Sequence, residues 1–215
     1  MMLGPKHYTT TEGYTPLIAP GELGITNLHF GILNLPPEST FFDHSDDCEV
    51  VLVALGGHCT LLVGHNGNKA NGTLGERVNV FDGDACVAYI PHHTTYEVIT
   101  NRNGIEIAIC KTPSHKDTAA VLLEAGEIEV ETDYQLCIIE NDVSSEWIGE
   151  AICFYRFQDE NGSVTLQLID PEKKKARIVL HNNDLLVMPE KTRARLITYE
   201  GVCYQLLITH STPLQ

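Results

Sequence analysis

The sequence predicts an all-β chain built as two closed β barrels in tandem, the second one reduced, joined by one short helix. Three observations carry that expectation. Short runs rich in β-branched and aromatic residues recur along the chain, each bounded by Gly, Asn, Asp or Pro. Only one stretch, His115 to Ala125, reads as a helix. One module also occurs twice: a polar turn, an apolar strand and a Pro, as Gly83 through Pro91 and again as Asn183 through Pro189. Evenly spaced short strands favour closed sheets or sandwiches over a βαβ arrangement, and a single distorted sandwich is the alternative to two barrels.

From the N-terminus, strands are expected over 25–35, 49–55, 58–63, 78–81, 86–90, 96–100 and 105–111. Gly56-Gly57 is a tight hairpin signal between two apolar runs. Turns are expected at Asn66-Gly67-Asn68, Asn71-Gly72 and Asn103-Gly104. Ser114 could cap the helix and Gly126 stop it. The predicted organisation is thus a barrel over 1–114, a connecting helix over 115–126 and a second barrel over 127–215. Its strands are expected over 134–140, 150–158, 163–170, 176–180, 185–188, 195–199 and 202–209, with hairpin turns at Asn161-Gly162 and Glu200-Gly201.

Composition narrows the function. Lys plus Arg total 14 against 29 Asp plus Glu, a net charge of −15, which disfavours a nucleic-acid partner. The one basic run, Lys173-Lys174-Lys175, reads as a solvated turn. No run approaches the ~20 apolar residues that a membrane helix needs, and Met1 to Thr11 lacks an apolar signal-peptide core. A cytoplasmic location without a membrane partner is expected. The seven cysteines form no C-x-x-C pair, so buried reduced thiols are expected rather than a zinc or dithiol motif.

Turn-strand-Pro modules of this kind resemble those of cupins. The string Gly75-Glu76-Arg77-Val78-Asn79-Val80-Phe81-Asp82-Gly83, followed by Val87-Ala88-Tyr89-Ile90-Pro91, is similar to the first barrel of the 5-deoxyglucuronate isomerase family. So are Glu49 through Gly57 and Glu106 through Ser114. In the second half, Ile152-Cys153-Phe154-Tyr155-Arg156-Phe157 and Asp184 through Glu190 match more thinly. The resemblance implies aldose–ketose isomerisation of a deoxy-uronate in inositol catabolism. It also implies a divalent metal (Zn, Fe or Mn) in the second barrel, held by a His-x-His pair, a Glu and a later His. Such a cation would polarise the sugar oxygens while a base moves a proton.

The sequence departs from that pattern at the ligands. Residues 141–149 contain no His, the Glu position falls on Ala151, and the late His position falls on Arg193. Glu150 is one residue out of phase, on the opposite strand face. The expectation is therefore no cofactor, with a divalent metal only if the family mechanism survives. In the first barrel, His44 and Glu49 have the spacing of metal-binding cupins, and His93 could complete a set. There Phe42 occupies the first His position and Tyr96 the usual third-ligand position. Of Tyr155 and Arg156 only one can face into the barrel. Arg193 and Arg195 could hold a sugar carboxylate through a bidentate guanidinium, and Trp147 is expected to anchor the shortened connection. Two functions stay open: a divergent isomerase, or a non-catalytic cupin that binds a sugar acid or serves as a structural or regulatory subunit. A homo-oligomer, dimer or higher, is expected from exposed sheet edges.

Overall fold

The computed structural model describes residues 4–65, 68–116, 118–123, 136–140, 146–148, 150–170 and 172–210. It is all-β, with no helix among these residues. Two compact units divide the chain. One comprises Thr10–Ile18 and His29–Leu136, and the other Met1–Thr9, Ala19–Leu28 and Cys137–Ser211.

In the first unit a six-stranded antiparallel sheet runs Val121–Leu123, Val87–Ile90, Cys48–Gly57, Ile105–Pro113, His29–Leu35, Gly13–Ile18. A four-stranded sheet runs Thr40–His44, Thr95–Ile99, Cys59–His65, Asn68–Leu74. The inward face follows the two-residue period of a strand. Ile105, Ile107 and Ile109 meet Leu33, Leu35, Val50, Leu52 and Ala54 from neighbouring strands, and Leu61, Val63 and Val98 from the facing sheet, all buried. Each fully buried Leu, Ile or Val contributes roughly 1.5–3 kcal/mol relative to exposure.

The second unit repeats the pattern. Its five-stranded sheet runs Lys6–His7, Asp184–Met188, Ala151–Phe157, Cys203–His210, Leu136–Glu140, and its four-stranded sheet runs Glu146–Ile148, Arg193–Glu200, Ser163–Ile169, Lys175–Leu180. Ala151, Cys153, Tyr155 and Phe157 face Val164, Leu166 and Leu168 in its core.

Several expectations need correction. The helix expected over 115–126 is not formed among its described residues. Val121–Leu123 instead pairs antiparallel with Val87–Tyr89, and Leu122 packs against the core. Completing a sheet edge outweighs the helical propensity of this short run. Residues 78–81 are turns, not a strand: the Asn79 side chain accepts from the Phe81 N–H at 2.8 Å, and the Asp82 carboxylate accepts from the Val78 N–H at 3.2 Å. These local bonds compete successfully with a ladder. Conversely, Asn68–Leu74, expected as turns, is a strand on Cys59–His65.

The units also interleave, where the sequence suggested a simple succession divided at 114 and 127. Lys6 and His7 pair with Leu185 and Asp184, and Ala19–Leu28 belongs with the second unit. Glu150 explains how that segment is held. Its carboxylate accepts from the backbone N–H groups of Thr26, Asn27 and Leu28 at 2.8–3.0 Å and from the Thr26 hydroxyl. Burial alone would raise the Glu150 pKa, but these donors outweigh it and lower it below the ordinary value.

In the first unit, the Gly75-to-Gly83 string is organised by Arg77, which is 4% exposed. Its Nε donates to the Ala54 carbonyl at 2.9 Å and its Nη1 to the Gly83 carbonyl at 3.2 Å. Gly75 has a φ of +92°, and a Cβ there would stand 2.4 Å from the Gly57 carbonyl oxygen. Cys59, Cys86, Cys110 and Cys153 are buried free thiols. No helix of the described residues is long and apolar enough to cross a membrane.

The Glu150 clamp makes a prediction. Glu150→Ala strands three backbone donors and is expected to cost roughly 2–4 kcal/mol in denaturant unfolding. Because the folded pKa is lowered, the clamp's contribution is complete above the ordinary carboxyl value of 4.5 and is lost as pH falls from there through the folded value. The wild-type-minus-Glu150→Gln stability difference should therefore shrink over that acidic range. A difference that stays constant with pH contradicts the clamp.

Candidate functional site

The polar groups of the first barrel gather where the apolar periodicity of several strands is broken in phase. Continuing the inward series Ile105, Ile107, Ile109 by one step gives Lys111. Continuing Leu35 and Leu33 backwards through Gly31 gives His29, which stands opposite Lys111 in the ladder. On the facing sheet Phe41 packs on the core while Phe42 is 66% exposed, so Asp43 faces inward. Asp43 stands opposite Tyr96, which shares the inward phase of Val98.

The side chains join as the register demands. Lys111 Nζ donates to Asp43 Oδ2 at 2.7 Å, and the Tyr96 hydroxyl donates to the same oxygen at 2.7 Å. The Asp43 Oδ1 accepts from the His44 N–H at 2.8 Å. Lys111 retains 17% side-chain exposure and Asp43 29%, so the pair is sheltered yet reachable. Burial would raise the Asp43 pKa, but the bonds from Lys111 and Tyr96, the His44 N–H and the Lys111 charge together lower it, keeping the carboxylate ionised. Burial, and then the Lys111 charge, lower the His29 pKa below 6.5, so its imidazole is neutral at pH 7.

Tyr14 lies over Gly31: a Cβ at that glycine would come 2.6 Å from the Tyr14 hydroxyl. Burial, followed by the Asp43 charge, pushes the Tyr14 pKa up to about 12, so it remains a neutral donor. Tyr96 is likewise raised, chiefly by burial. Burial also raises the Cys48 thiol despite the nearby Lys111 charge, making it a poor nucleophile. The site therefore offers one ammonium, one carboxylate, one neutral imidazole and two protonated phenols.

The residues singled out in the first barrel by spacing are not these. His44 is out of phase with Asp43, and its Nδ1 stands 3.0 Å from the Asp46 carboxylate. His93, at a φ of +52°, turns its Nε2 to the Asp47 carboxylate at 3.5 Å. Glu49 is buried but lies out of phase with the inward Val50 and Leu52. The structure does not bring His44, Glu49 and His93 together as a ligand set. Among the described residues no group of three or more His, Cys, Asp or Glu could hold a metal ion.

In the second barrel Tyr155 faces the core and Arg156 faces away. Arg156 Nε donates to the Asn183 side chain at 3.1 Å, and its guanidinium lies 5.2 Å from the Phe154 ring centroid. Arg193 and Arg195 are exposed while Ala194 between them is buried, so strand alternation turns both guanidiniums away from the interior. Ala151 faces the core without a donor atom, and Glu150 is taken by residues 26–28. Most of 141–149, and the Trp147 side chain, lie outside the described residues.

The sequence model of the KduI/IolB family matches residues 3–133. No curated protein sequence matches the chain. Among solved structures, the fold is similar to an IolB-like protein from Salmonella typhimurium, with a TM-score of 0.80 at 18% identity over 100% of this chain and 94% of that one. A putative glyoxylate-induced protein from Pseudomonas aeruginosa aligns with a TM-score of 0.61 at 11% identity, covering 92% of this chain and 79% of its own. An oxalate decarboxylase from Lactobacillus farciminis aligns with a TM-score of 0.57 at 9% identity, covering 95% and 88%. These likenesses establish the cupin double-stranded β-helix.

The cluster's electrostatics are testable by NMR. The His29 imidazole should titrate below 6.5. Lys111→Met, which removes the neighbouring cation and leaves the Asp43 charge, should move that pKa upward by roughly half a unit or more. An unchanged His29 titration in the variant would show that the two side chains do not sense each other.

Proposed function

Because the chain belongs to the KduI/IolB family, matched over residues 3–133, we propose that it is an aldose–ketose isomerase of a deoxy-uronate, acting at the Asp43–Lys111–His29 cluster of the first barrel. The observation that carries this reading is the inward-facing Lys111, backed by Asp43 and set opposite a neutral imidazole. The substrate class comes from the resemblance to 5-deoxyglucuronate isomerases and the step it implies in inositol catabolism.

Isomerisation through an enediol needs three services. A base must take the proton from C2 and return it to C1. A cation or strong donor must hold the oxygen on which negative charge develops. Further donors must fix the neighbouring hydroxyls. His29, neutral at pH 7, is the better base, because the lowered Asp43 pKa makes that carboxylate too weak. The Lys111 ammonium is the donor to the carbonyl oxygen and stabilises the enediolate as charge moves onto it. Asp43 positions Lys111, the Tyr96 hydroxyl positions Asp43, and Tyr14 supplies a protonated hydroxyl beside them. The proton removed from C2 rides on His29 and is returned to C1, while the O2 hydroxyl proton passes to O1 within the enediol, so the step is balanced without oxidant or reductant.

The family's metal does not fit the second barrel as this chain builds it. Of the positions that the resemblance assigns to ligands, Ala151 has no donor and Arg193 is exposed and permanently charged. No step is therefore routed through a metal.

The test is turnover of 5-deoxyglucuronate by the purified full chain, followed as ketose formation by NMR before and after chelator treatment. Activity should persist in chelator. Lys111→Met and His29→Gln should each lower kcat by roughly 10²–10⁴-fold. Saturable binding of the sugar acid with no turnover would instead identify the chain as a non-catalytic sugar-acid binder. Turnover abolished by chelator and restored by metal would move the chemistry away from Lys111.

A further inference from the structure

We propose that the outward face of the second unit's four-stranded sheet is a cationic docking surface for a second copy of this chain, which sets against it the acidic turn from Gly75 to Asp84. Strand alternation builds the cationic half. Leu166 and Leu168 are buried, so Gln167 and Ile169 share the outward phase. The ladder places Arg195 and Arg177 on either side of Gln167, and Arg193 and Lys175 on either side of Ile169. All four cations are exposed. Their Cα positions outline a rectangle of about 10 Å by 7 Å, from the usual strand spacing and rise. The carboxylates at its margin stand at Glu146, opposite Arg195, and at Glu200, opposite Ser163 toward the far end of the sheet. Among the described residues Lys175, Arg177 and Arg195 enter no ion pair.

The complementary surface lies on the first unit. Glu76, Asp82 and Asp84 are exposed, and Val78, between the first two, is 78% exposed. The turn's one cation, Arg77, is buried beneath them. Its bonds to the Ala54 and Gly83 carbonyls tie the two ends of the turn together, and the Asp82 carboxylate closes the turn on the Val78 N–H. Three carboxylates are thus held in a fixed turn around one apolar side chain. The sheet face offers the counterpart: four cations beside Val179 and Ile197, 46% and 43% exposed.

Charge complementarity selects the occupant. Two chains of net charge −15 repel each other at random orientations. At physiological salt that repulsion is screened beyond about 8 Å, so a copy can approach where its carboxylates face these cations. One exposed ion pair contributes only about 0.2–1 kcal/mol, so no single pair would hold two chains together. Several pairs converging on one rectangle, with Val78 covered by Val179 and Ile197, combine a charged rim with an apolar centre. Turn and sheet face are different surfaces, so the contact is heterologous and every copy carries both halves.

The experiment is sedimentation velocity on the purified full chain at micromolar concentration and physiological salt. One variant, Lys175→Glu with Arg177→Glu and Arg195→Glu, turns the sheet face acidic. The other, Glu76→Lys with Asp84→Lys, turns the loop basic and keeps Asp82, which closes it. The wild type should self-associate, and each variant alone should raise the dissociation constant at least about tenfold without lowering the melting temperature by more than a few degrees. Mixed in equal amounts, the two variants should associate again, because each then meets a surface of opposite sign. A general effect of net charge would not give that rescue. The single change Val78→Lys should weaken wild-type association roughly threefold or more, which keeps the test open if a multiple variant folds poorly. A monomeric wild type, variants that associate as tightly as the wild type, folded variants that stay apart when mixed, or a monomeric chain whose sheet face captures oligoglutamate instead would each overturn the proposal.

Discussion

The first barrel depends on a charge balance at one end of an apolar interior. A carboxylate and an ammonium placed there are tolerable only if each meets the other and the remaining lone pairs find donors. Asp43 satisfies that condition through Lys111, the Tyr96 hydroxyl and the His44 N–H. Removing either charged partner leaves the other uncompensated among Phe41, Tyr14 and Val98. The same balance sets the chemistry. It keeps Asp43 ionised, fixes the ammonium in place, and lends the charge that helps keep His29 neutral.

The second unit meets the demands of burial differently. Two of its buried carboxylates are held by specific donors: Glu150 closes the backbone of residues 26–28, and Asp184 accepts from the His181 N–H and meets His7 Nδ1, each at 2.8 Å. Among the described residues its core holds the Tyr155 phenol and the Cys153 thiol. Ala151 and Arg193 show how a single residue type changes what a barrel can do: one offers the core no donor, and the other carries its charge out to solvent. Two copies of one fold thus carry different polar groups, which is why fold alone does not assign function.

Much of this was legible in the sequence, and the gaps have identifiable causes. The β-rich runs and hairpin glycines announced both barrels, since strand periodicity and turn chemistry are local. The Gly75-to-Gly83 string was visible as a motif, but its role was not, because Arg77 reaches carbonyls across the fold. The run ending at Leu123 has helical propensity, and only the partner Val87–Tyr89, distant in sequence, decides for a strand. The inward-facing cluster stands one residue from the one that ligand spacing selects: His44 lies on the outward face of its strand, because the inward phase runs through Phe41 and Asp43. A usable signal did exist: Lys111 continues the Ile105-Ile107-Ile109 alternation with a charge, and Tyr96 does the same for Val98 with a hydroxyl. Their meeting on one oxygen could not be read without the register between strands.

The central claim is that this chain's own imidazole carries the proton between sugar carbons and that its ammonium, rather than a metal ion, stabilises the enediolate. Deuterium tracing tests it most directly: the full chain is incubated with 5-deoxyglucuronate in D₂O, and the recovered ketose is examined for label at C1. The account predicts solvent deuterium at the carbon that was C1 of the aldose, because a proton resting on His29 exchanges with water, and predicts product formation slowed roughly 10²–10⁴-fold in the His29→Gln variant. Ketose formed with the C2 hydrogen fully retained, as a direct hydride shift gives, and formed equally by the variant, would contradict it.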